Sequence, residues 1–232
     1  MIISGLQKLT LLDYPGKVAC TVFLGGCNFR CPFCHNALLV ERPGEAENIS
    51  EERFFEFLRK RQGVLDGVCI TGGEPLLRKD IADFALKIKS LGYSVKIDTN
   101  GSKPEMIKEL IEKGAVDKFA MDIKSSPDKY TLATGTDVDV EDIKKSVKYI
   151  MESGVCYEFR TTVVDPLHDE SDFDEIGKLI EGADAYFLQS FADSGDLIDG
   201  EGFSAYSEEM MQVFLETVKK RVPSARIRGK EE

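Results

Sequence analysis

The sequence predicts an α/β fold: a partial, open (β/α)6 barrel of parallel strands with helices outside. Short apolar runs of strand length alternate with segments in which apolar residues recur at three- and four-residue spacing, as in Phe54, Phe57 and Leu58. Such alternation is typical of a parallel sheet covered by helices. The sequence contains six strand–helix units, fewer than the eight that close a barrel. We therefore expect the barrel to stay open.

The elements follow one another in regular order. The predicted strands are Val18–Leu24, Val68–Thr71, Ser94–Thr99, Lys118–Ile123, Tyr157–Val164 and Ala185–Gln189. The predicted helices are Glu51–Lys60, Lys79–Leu91, Pro104–Lys113, Val140–Ser153, Asp172–Ile180 and Ser207–Val222. Gly92, Gly114 and Gly154 follow three of these helices, where glycine commonly ends a helix. No low-complexity linker interrupts the series, so we expect residues 1–232 to form a single domain.

Composition limits the partners of the chain. Its 41 acidic residues outnumber 30 basic ones, for a formal net charge of −11. Nucleic acid and anionic membranes repel such a chain, so we expect neither as a main partner. No stretch approaches the roughly 18 apolar residues of a membrane span, and the first residues lack the pattern of a signal peptide. Six cysteines in a chain without a signal-peptide pattern favour metal or redox chemistry over disulfides. We therefore expect a cytoplasmic protein.

Residues 25–36, GGCNFRCPFCHN, follow the first predicted strand directly. Cys27, Cys31 and Cys34 place three thiolates close enough to wrap one soft metal centre. An iron–sulfur cluster normally takes four thiolates, so three would leave one iron open to a substrate. Zinc is the alternative, with His35 as a fourth ligand. It is disfavoured because His35 abuts Cys34 and no second ligand pair follows.

The other three cysteines have a different setting. Cys20, Cys69 and Cys156 each lie in or beside an apolar strand run. A free cysteine in such a run behaves as a small apolar side chain. We therefore predict that these three are core thiols and not ligands.

Polar motifs end the next three strands. Residues 70–75, ITGGEP, close the second strand, and Gly72 and Gly73 would let the main chain approach a ligand without a Cβ in the way. Asp98 ends the third strand and Asp122 the fourth. Two carboxylates at adjacent strand ends would form an oxygen-ligand site for a hard cation. The alternatives are an ordinary turn, helix capping by Asp98, and a surface salt bridge for Asp122.

The spacing Cys-x3-Cys-x2-Cys, with an aromatic residue before the last cysteine, resembles the signature of the radical S-adenosylmethionine superfamily. Residues 70–75 are similar to its GGEP motif. Residues 98–101 (DTNG) and 121–124 (MDIK) resemble segments of activating enzymes for glycyl-radical proteins. The resemblance implies that Cys27, Cys31 and Cys34 hold a [4Fe-4S] cluster. It also implies reductive cleavage of S-adenosylmethionine to methionine and a 5′-deoxyadenosyl radical.

The same resemblance implies roles for the other motif residues. The backbone of Phe33 would contact the adenine of S-adenosylmethionine. The turn that contains Gly72 and Gly73, called the glycine turn below, would bind its amino group. Glu74 would accept a hydrogen bond from that ammonium group or brace the turn. The carboxylates of Asp98 and Asp122 would help to hold a monovalent cation. Arg160 would pair with the methionine carboxylate or with Asp122. The implied cofactor-binding set is Phe33, Gly72, Gly73, Glu74, Asp98, Thr99, Asn100, Asp122, Lys124 and Arg160.

Within the superfamily, residues 5–8 (GLQK), 13–16 (DYPG) and 226–229 (RIRG) most resemble activating proteins of anaerobic ribonucleoside-triphosphate reductase. This subgroup implies a glycyl-radical enzyme as partner and flavodoxin or ferredoxin as electron donor. Gln189 stands on the last strand, where pyruvate formate-lyase activases tend to carry a histidine, so that reaction is disfavoured. The alternatives are a radical enzyme acting on a small molecule and a non-catalytic iron–sulfur or zinc module.

Overall fold

The computed structural model describes residues 1–193, 195, 197–199 and 201–229. The strands in this part of the chain are β1 (Ile2–Ile3), β2 (Gly5–Thr10), β3 (Ala19–Leu24), β4 (Ile49–Ser50), β5 (Gly67–Gly72), β6 (Ser94–Thr99), β7 (Lys118–Asp122), β8 (Cys156–Val163), β9 (Tyr186–Ser190) and β10 (Arg226–Ile227). The helices are α1 (Ala37–Glu41), α2 (Glu51–Arg59), α3 (Ile81–Ser90), α4 (Pro104–Glu112), α5 (Tyr130–Thr134), α6 (Val140–Glu152), α7 (Glu170–Leu179) and α8 (Glu208–Lys219). None of these described helices has the length and apolar character needed to cross a bilayer.

The main sheet of the described chain has eight strands in the order β10-β9-β8-β7-β6-β5-β3-β2. Its neighbours are parallel except for β2, which runs antiparallel to β3. The six predicted strands correspond to β3 and β5 to β9, and their ends shift by at most one residue. The order does not return to its start, so the predicted open α/β barrel is confirmed.

The two edge strands were not predicted from the sequence. Three of the six residues of β2 are exposed, so no apolar run marks this strand. At the other edge, β10 has only two residues. The sheet therefore has eight strands where the sequence predicts six, because a neighbouring strand, and not local hydrophobicity, holds these edge segments extended.

The sheet separates an apolar layer from a polar one. On β6, Val95 and Ile97 are fully buried and belong to the apolar core with the surrounding helices. Because successive strand residues point to opposite faces, Lys96 and Asp98 face the interior of the open barrel. The polar side chains of several strands thus meet inside the barrel, at and below the carboxyl ends of the strands.

The helix ends follow local rules. Gly92, Gly114 and Gly154 have φ angles of 91°, 61° and 70°, so they end their helices as predicted. Helix α7 begins earlier than predicted because Asp169 caps it, accepting a hydrogen bond from the backbone N–H of Asp172 at 3.3 Å.

One prediction about the cysteines is wrong. Cys20 and Cys69 are buried as expected, but Cys156 is exposed. It is the first residue of β8, and its neighbours in space include Gly154 and Asp184 in a surface groove. An apolar run therefore does not guarantee burial at its first residue, because the tip of a strand can protrude beyond the packed layer.

Candidate active site

The three motif cysteines lie on the wall of one cavity, at the carboxyl ends of the parallel strands. The cavity has a volume of about 200 Å³. The predicted site residues on its wall are Cys27, Cys31, Cys34, Phe33, Gly72, Gly73, Asp98, Thr99, Asn100, Asp122, Lys124 and Arg160. Glu74 is the exception, since it is buried behind the wall. The structure thus brings together residues that lie far apart along the chain.

Hydrogen bonds to the main chain fix the cysteine loop between β3 and α1. The Nη1 of Arg30 donates to the carbonyl oxygen of Cys27 at 2.7 Å. The backbone N–H of Arg30 donates to the carbonyl of Thr134, the last residue of α5, at 2.8 Å. The backbone N–H of Cys34 donates to the carbonyl of Cys31 at 3.0 Å, which closes a tight turn. The loop is therefore held from within and from α5.

The loop carries thiols, the donor groups that soft metal centres prefer, although no three Cys, His, Asp or Glu side chains of the described residues are grouped to hold a single metal ion. All six cysteines lie in the described chain and are free thiols. Burial raises the pKa of Cys31 to about 12 and also raises the pKa of Cys27. Binding of a metal centre would convert these thiols to thiolates with release of protons. Three free thiols on one wall fit an iron–sulfur cluster that keeps one iron open to a ligand.

The glycine turn after β5 packs directly on the cysteine loop. A Cβ on Gly72 would lie 2.4 Å from the carbonyl oxygen of Leu24, and one on Gly73 would lie 2.1 Å from that of Gly26. The φ of Gly72 is +116°, which side chains rarely allow. The carbonyl of Gly72 accepts from the Nδ2 of Asn36 at 2.9 Å. The packing of the two loops therefore requires glycine at both positions. The approach of a ligand to this turn stays a prediction.

Glu74 braces the floor of the site. Its carboxylate accepts hydrogen bonds from the backbone N–H of Leu76 at 2.9 Å, the hydroxyl of Thr99 at 2.8 Å and the backbone N–H of Asn100 at 2.6 Å. Burial raises the pKa of Glu74 to about 7, against the opposing effect of these hydrogen bonds. Of the two alternatives for Glu74, the structure supports bracing of the turn, because its side chain joins the end of β5 to the end of β6.

Five charged side chains form a continuous chain of contacts across the barrel. Its members are Lys96, Asp98, Arg160, Asp122 and Lys124, called the charged cluster below. Arg160 lies between the carboxylates: its Nη1 is 3.2 Å from Oδ2 of Asp98, and its Nε and Nη2 are both 2.9 Å from Oδ1 of Asp122. Lys124 Nζ lies 3.0 Å from Oδ2 of Asp122. Lys96 forms an ion pair with Oδ1 of Asp98.

The electrostatics of the cluster keep Asp122 and Lys124 ionised. Burial alone would raise the pKa of Asp122, but Arg160 and Lys124 hold that pKa below its usual range. Burial would lower the pKa of Lys124, yet Asp122 raises it above its usual range. The prediction that Asp98 caps a helix is wrong, because the residue at the N-cap position of α4 is Lys103. The prediction of a surface salt bridge for Asp122 is also wrong, because Asp122 pairs with Arg160 and Lys124 inside the barrel. A monovalent cation at the two carboxylates stays a prediction; in the structure Arg160 bridges them.

The aromatic and amide residues complete the wall. Phe33 is buried within the cysteine loop. His35, the alternative zinc ligand, also lines the cavity and stacks on Phe191 with ring centroids 6.1 Å apart. The Nδ2 of Asn100 donates to Oδ1 of Asn28 at 3.0 Å, which ties the end of β6 to the cysteine loop.

Sequence reasoning missed two residues that hold the end of β7. His168 is fully buried; its Nδ1 accepts from the backbone N–H of Val164 at 3.1 Å, and its Nε2 lies 2.9 Å from the carbonyl of Lys124. The backbone N–H of Lys124 donates to the hydroxyl of Tyr130 at 3.3 Å. His168 is distant from β7 in the chain, and Tyr130 lies on the next helix, α5. No local sequence pattern marks either residue. The scarcity of histidine, two residues in the chain, was the only signal.

Comparison with known proteins identifies the family. The family model described as "Radical SAM superfamily" matches residues 21–180. A protein of Methanocaldococcus jannaschii named as a glycyl-radical enzyme activating enzyme is 36% identical over 91% of this chain and 85% of its own. The pyruvate formate-lyase-activating enzyme of Clostridium pasteurianum is 32% identical over 73% of this chain and 71% of its own. Streptococcus suis SuiB bound to S-adenosylmethionine shares the fold, with a TM-score of 0.68 and 17% identity over 90% of this chain and 52% of SuiB.

The chain belongs to the radical S-adenosylmethionine superfamily. Within it, the relatives place the chain in the type that activates glycyl-radical enzymes. Members of the superfamily use a [4Fe-4S] cluster and S-adenosylmethionine, so these are the cofactors of this enzyme. The chain spans about half the length of SuiB, so that comparison establishes the common fold and nothing about the substrate.

Proposed function

We propose that this enzyme generates a glycyl radical on a partner protein, and that the partner is an anaerobic ribonucleoside-triphosphate reductase. One observation carries the proposal: three free thiols, the glycine turn and four members of the charged cluster (Asp98, Asp122, Lys124 and Arg160) line one cavity. When bound, the cluster and S-adenosylmethionine supply one-electron cleavage of the S–C5′ bond, with flavodoxin or ferredoxin as the electron source. A glycine Cα of the partner would give up one hydrogen atom, so that the products would be methionine, 5′-deoxyadenosine and the glycyl radical.

The protein residues in this proposal bind and orient. Cys27, Cys31 and Cys34 would hold three irons. Arg160 and Lys124 are the cations on the cavity wall and would receive the carboxylate of S-adenosylmethionine by charge-assisted hydrogen bonds. The glycine turn would meet its amino group and Phe33 the adenine. Because the protein supplies orientation and exclusion of water, its contribution is chiefly one of positioning.

Two observations support a protein substrate. The sheet ends at β2 on one side and at β10 on the other, so the barrel interior is open between these edges. A glycine on an extended loop of a large partner can enter through such an opening. The names of the relatives agree with this class of substrate, and the resemblance of residues 5–8, 13–16 and 226–229 favours the reductase among glycyl-radical enzymes.

Electron paramagnetic resonance tests the proposal. We expect the reduced enzyme, supplied with S-adenosylmethionine and the reductase, to give the doublet of a glycyl radical with one remaining Cα hydrogen. Replacing the radical glycine of the partner by alanine should abolish the doublet, while 5′-deoxyadenosine and methionine still form. A doublet that forms on a different glycyl-radical enzyme, and not on the reductase, would show that the partner is assigned wrongly. Consumption of a small molecule with no protein doublet would overturn the activase function.

A further inference from the structure

The fifth member of the charged cluster, Lys96, lies behind the cavity wall and has no role in the proposed reaction. Its residue is 1% exposed, so the ammonium group has lost nearly all of its water. A buried ammonium group needs compensating partners. Lys96 pairs with Oδ1 of Asp98, and its Nζ lies 3.8 Å from the Sγ of Cys69. Asp98 is therefore its one anionic partner among the described residues.

Lys96 determines how Asp98 can act on Arg160. One oxygen of Asp98 is engaged by Lys96, and the other accepts from Arg160 at 3.2 Å and from the hydroxyl of Thr71 at 3.4 Å. Arg160 is thus shared between Asp98 and Asp122, and it lines the cavity. Without Lys96, the full charge of Asp98 would act on Arg160 and draw the guanidinium away from a ligand in the cavity.

The charge count of the cluster leads to the same conclusion. Its described members are three cations and two carboxylates, so its net charge is +1. A ligand carboxylate of charge −1 balances that surplus. Loss of Lys96 would reduce the net charge of the cluster to zero. A well-packed apolar residue often serves stability as well as a buried ion pair does, so a purely structural reason for the lysine is weak.

We propose that Lys96 is a positioning residue that neutralises Asp98 and thereby keeps Arg160 available to the carboxylate of S-adenosylmethionine. The inference rests on the proposed binding site and adds a residue to it. It concerns the strength of carboxylate binding and not the cleavage step. Comparing two ligands isolates the contribution of the carboxylate to binding, because 5′-deoxyadenosine carries the adenosyl group without the methionine carboxylate.

The experiment compares dissociation constants for the reconstituted, anaerobic enzyme. In Lys96→Met, we expect S-adenosylmethionine to bind about tenfold more weakly, within the usual range of couplings between a ligand and a distant group. The affinity for 5′-deoxyadenosine and the iron content should remain at wild-type values. Lys89→Met is the matched control, since Lys89 forms a half-buried ion pair with Asp117 and contacts no member of the charged cluster. It should leave both affinities unchanged.

A double variant makes the charge argument stricter. Lys96→Met with Asp98→Asn returns the net charge of the cluster to +1 and removes the unpaired carboxylate, so it should bind S-adenosylmethionine more tightly than Lys96→Met alone. Additive losses in the double variant would overturn the proposal. So would equal losses of both ligands in Lys96→Met, which indicate a merely structural role. If the wild-type enzyme binds neither ligand, the proposed binding site fails and the role of Lys96 fails with it.

Discussion

Single residues of the same type serve different purposes in this enzyme. Cys31 is buried in the loop at the cavity wall, whereas Cys20 is buried on β3 in the apolar core. Burial raises the pKa of both thiols to about 12. The two thiols therefore differ in their neighbours and not in their acidity, because Cys31 lines a cavity together with Cys27 and Cys34 and Cys20 does not.

Substitution of these two cysteines tests the ligand assignment. We expect Cys31→Ala to lose the cluster because two thiolates cannot hold it, whereas Cys20→Ala should keep about four irons and four sulfides per chain. Iron and sulfide analysis after anaerobic reconstitution measures both variants. A full complement of iron in Cys31→Ala would show that the ligands are assigned wrongly.

Among the elements, the turn after β5 and the cysteine loop depend on each other. The backbone N–H of Gly73 donates to the carbonyl of Leu24, and that of Glu74 donates to the carbonyl of Gly26, both at 2.8 Å. The guanidinium of Arg78 donates to the carbonyl of Gly25 at 2.6 Å. These contacts hold the cysteine loop against the end of β5, so the two motifs act as one structural unit.

A methyl group at the contact should separate the two loops. Gly73→Ala places its Cβ 2.1 Å from the carbonyl oxygen of Gly26, and such overpacking costs roughly 1–3 kcal/mol of the free energy of unfolding. We expect a lower urea midpoint and a lower cluster content. Gly44→Ala is the control, because a Cβ there meets nothing within 4 Å. Wild-type stability and cluster content in Gly73→Ala would contradict the dependence of one loop on the other.

At the scale of the whole molecule, a buried carboxylate ties the C-terminal segment to the barrel. Glu158 on β8 pairs with Lys118 of β7 at 2.9 Å and with Arg228, which follows β10, at 2.6 Å. The guanidinium of Arg228 also lies over the ring of Phe187, 4.7 Å from its centroid. Burial would raise the pKa of Glu158, but Lys118 and Arg228 lower it to about 2. The edge formed by β10 is thus fastened by charge as well as by the sheet.

This attachment should depend on pH. The folded-state pKa of Glu158 lies below the usual 4.5, so its stabilisation is complete above about pH 4.5 and is lost as the pH falls towards 2. We expect Glu158→Gln to lower the free energy of unfolding by about 3 kcal/mol at pH 7, and by less at pH 3.5. Urea unfolding of both proteins at the two pH values measures the difference. A deficit that is the same at both would exclude an ionised Glu158 as its source.

Much of the enzyme is determined by local sequence. The six central strands, the glycines that end helices and the three cysteines of one loop are visible because hydrophobic periodicity and short spacings are local properties. The edge strands, the exposure of Cys156 and the contact of His168 with the carbonyl of Lys124 were decided by tertiary structure, since each depends on residues distant in the chain. The charged cluster joins both levels. The sequence marks Asp98 and Asp122, and strand alternation alone puts Lys96 on the same face of β6 as Asp98. Only the pairing of β6, β7 and β8 side by side places Arg160 between the two carboxylates.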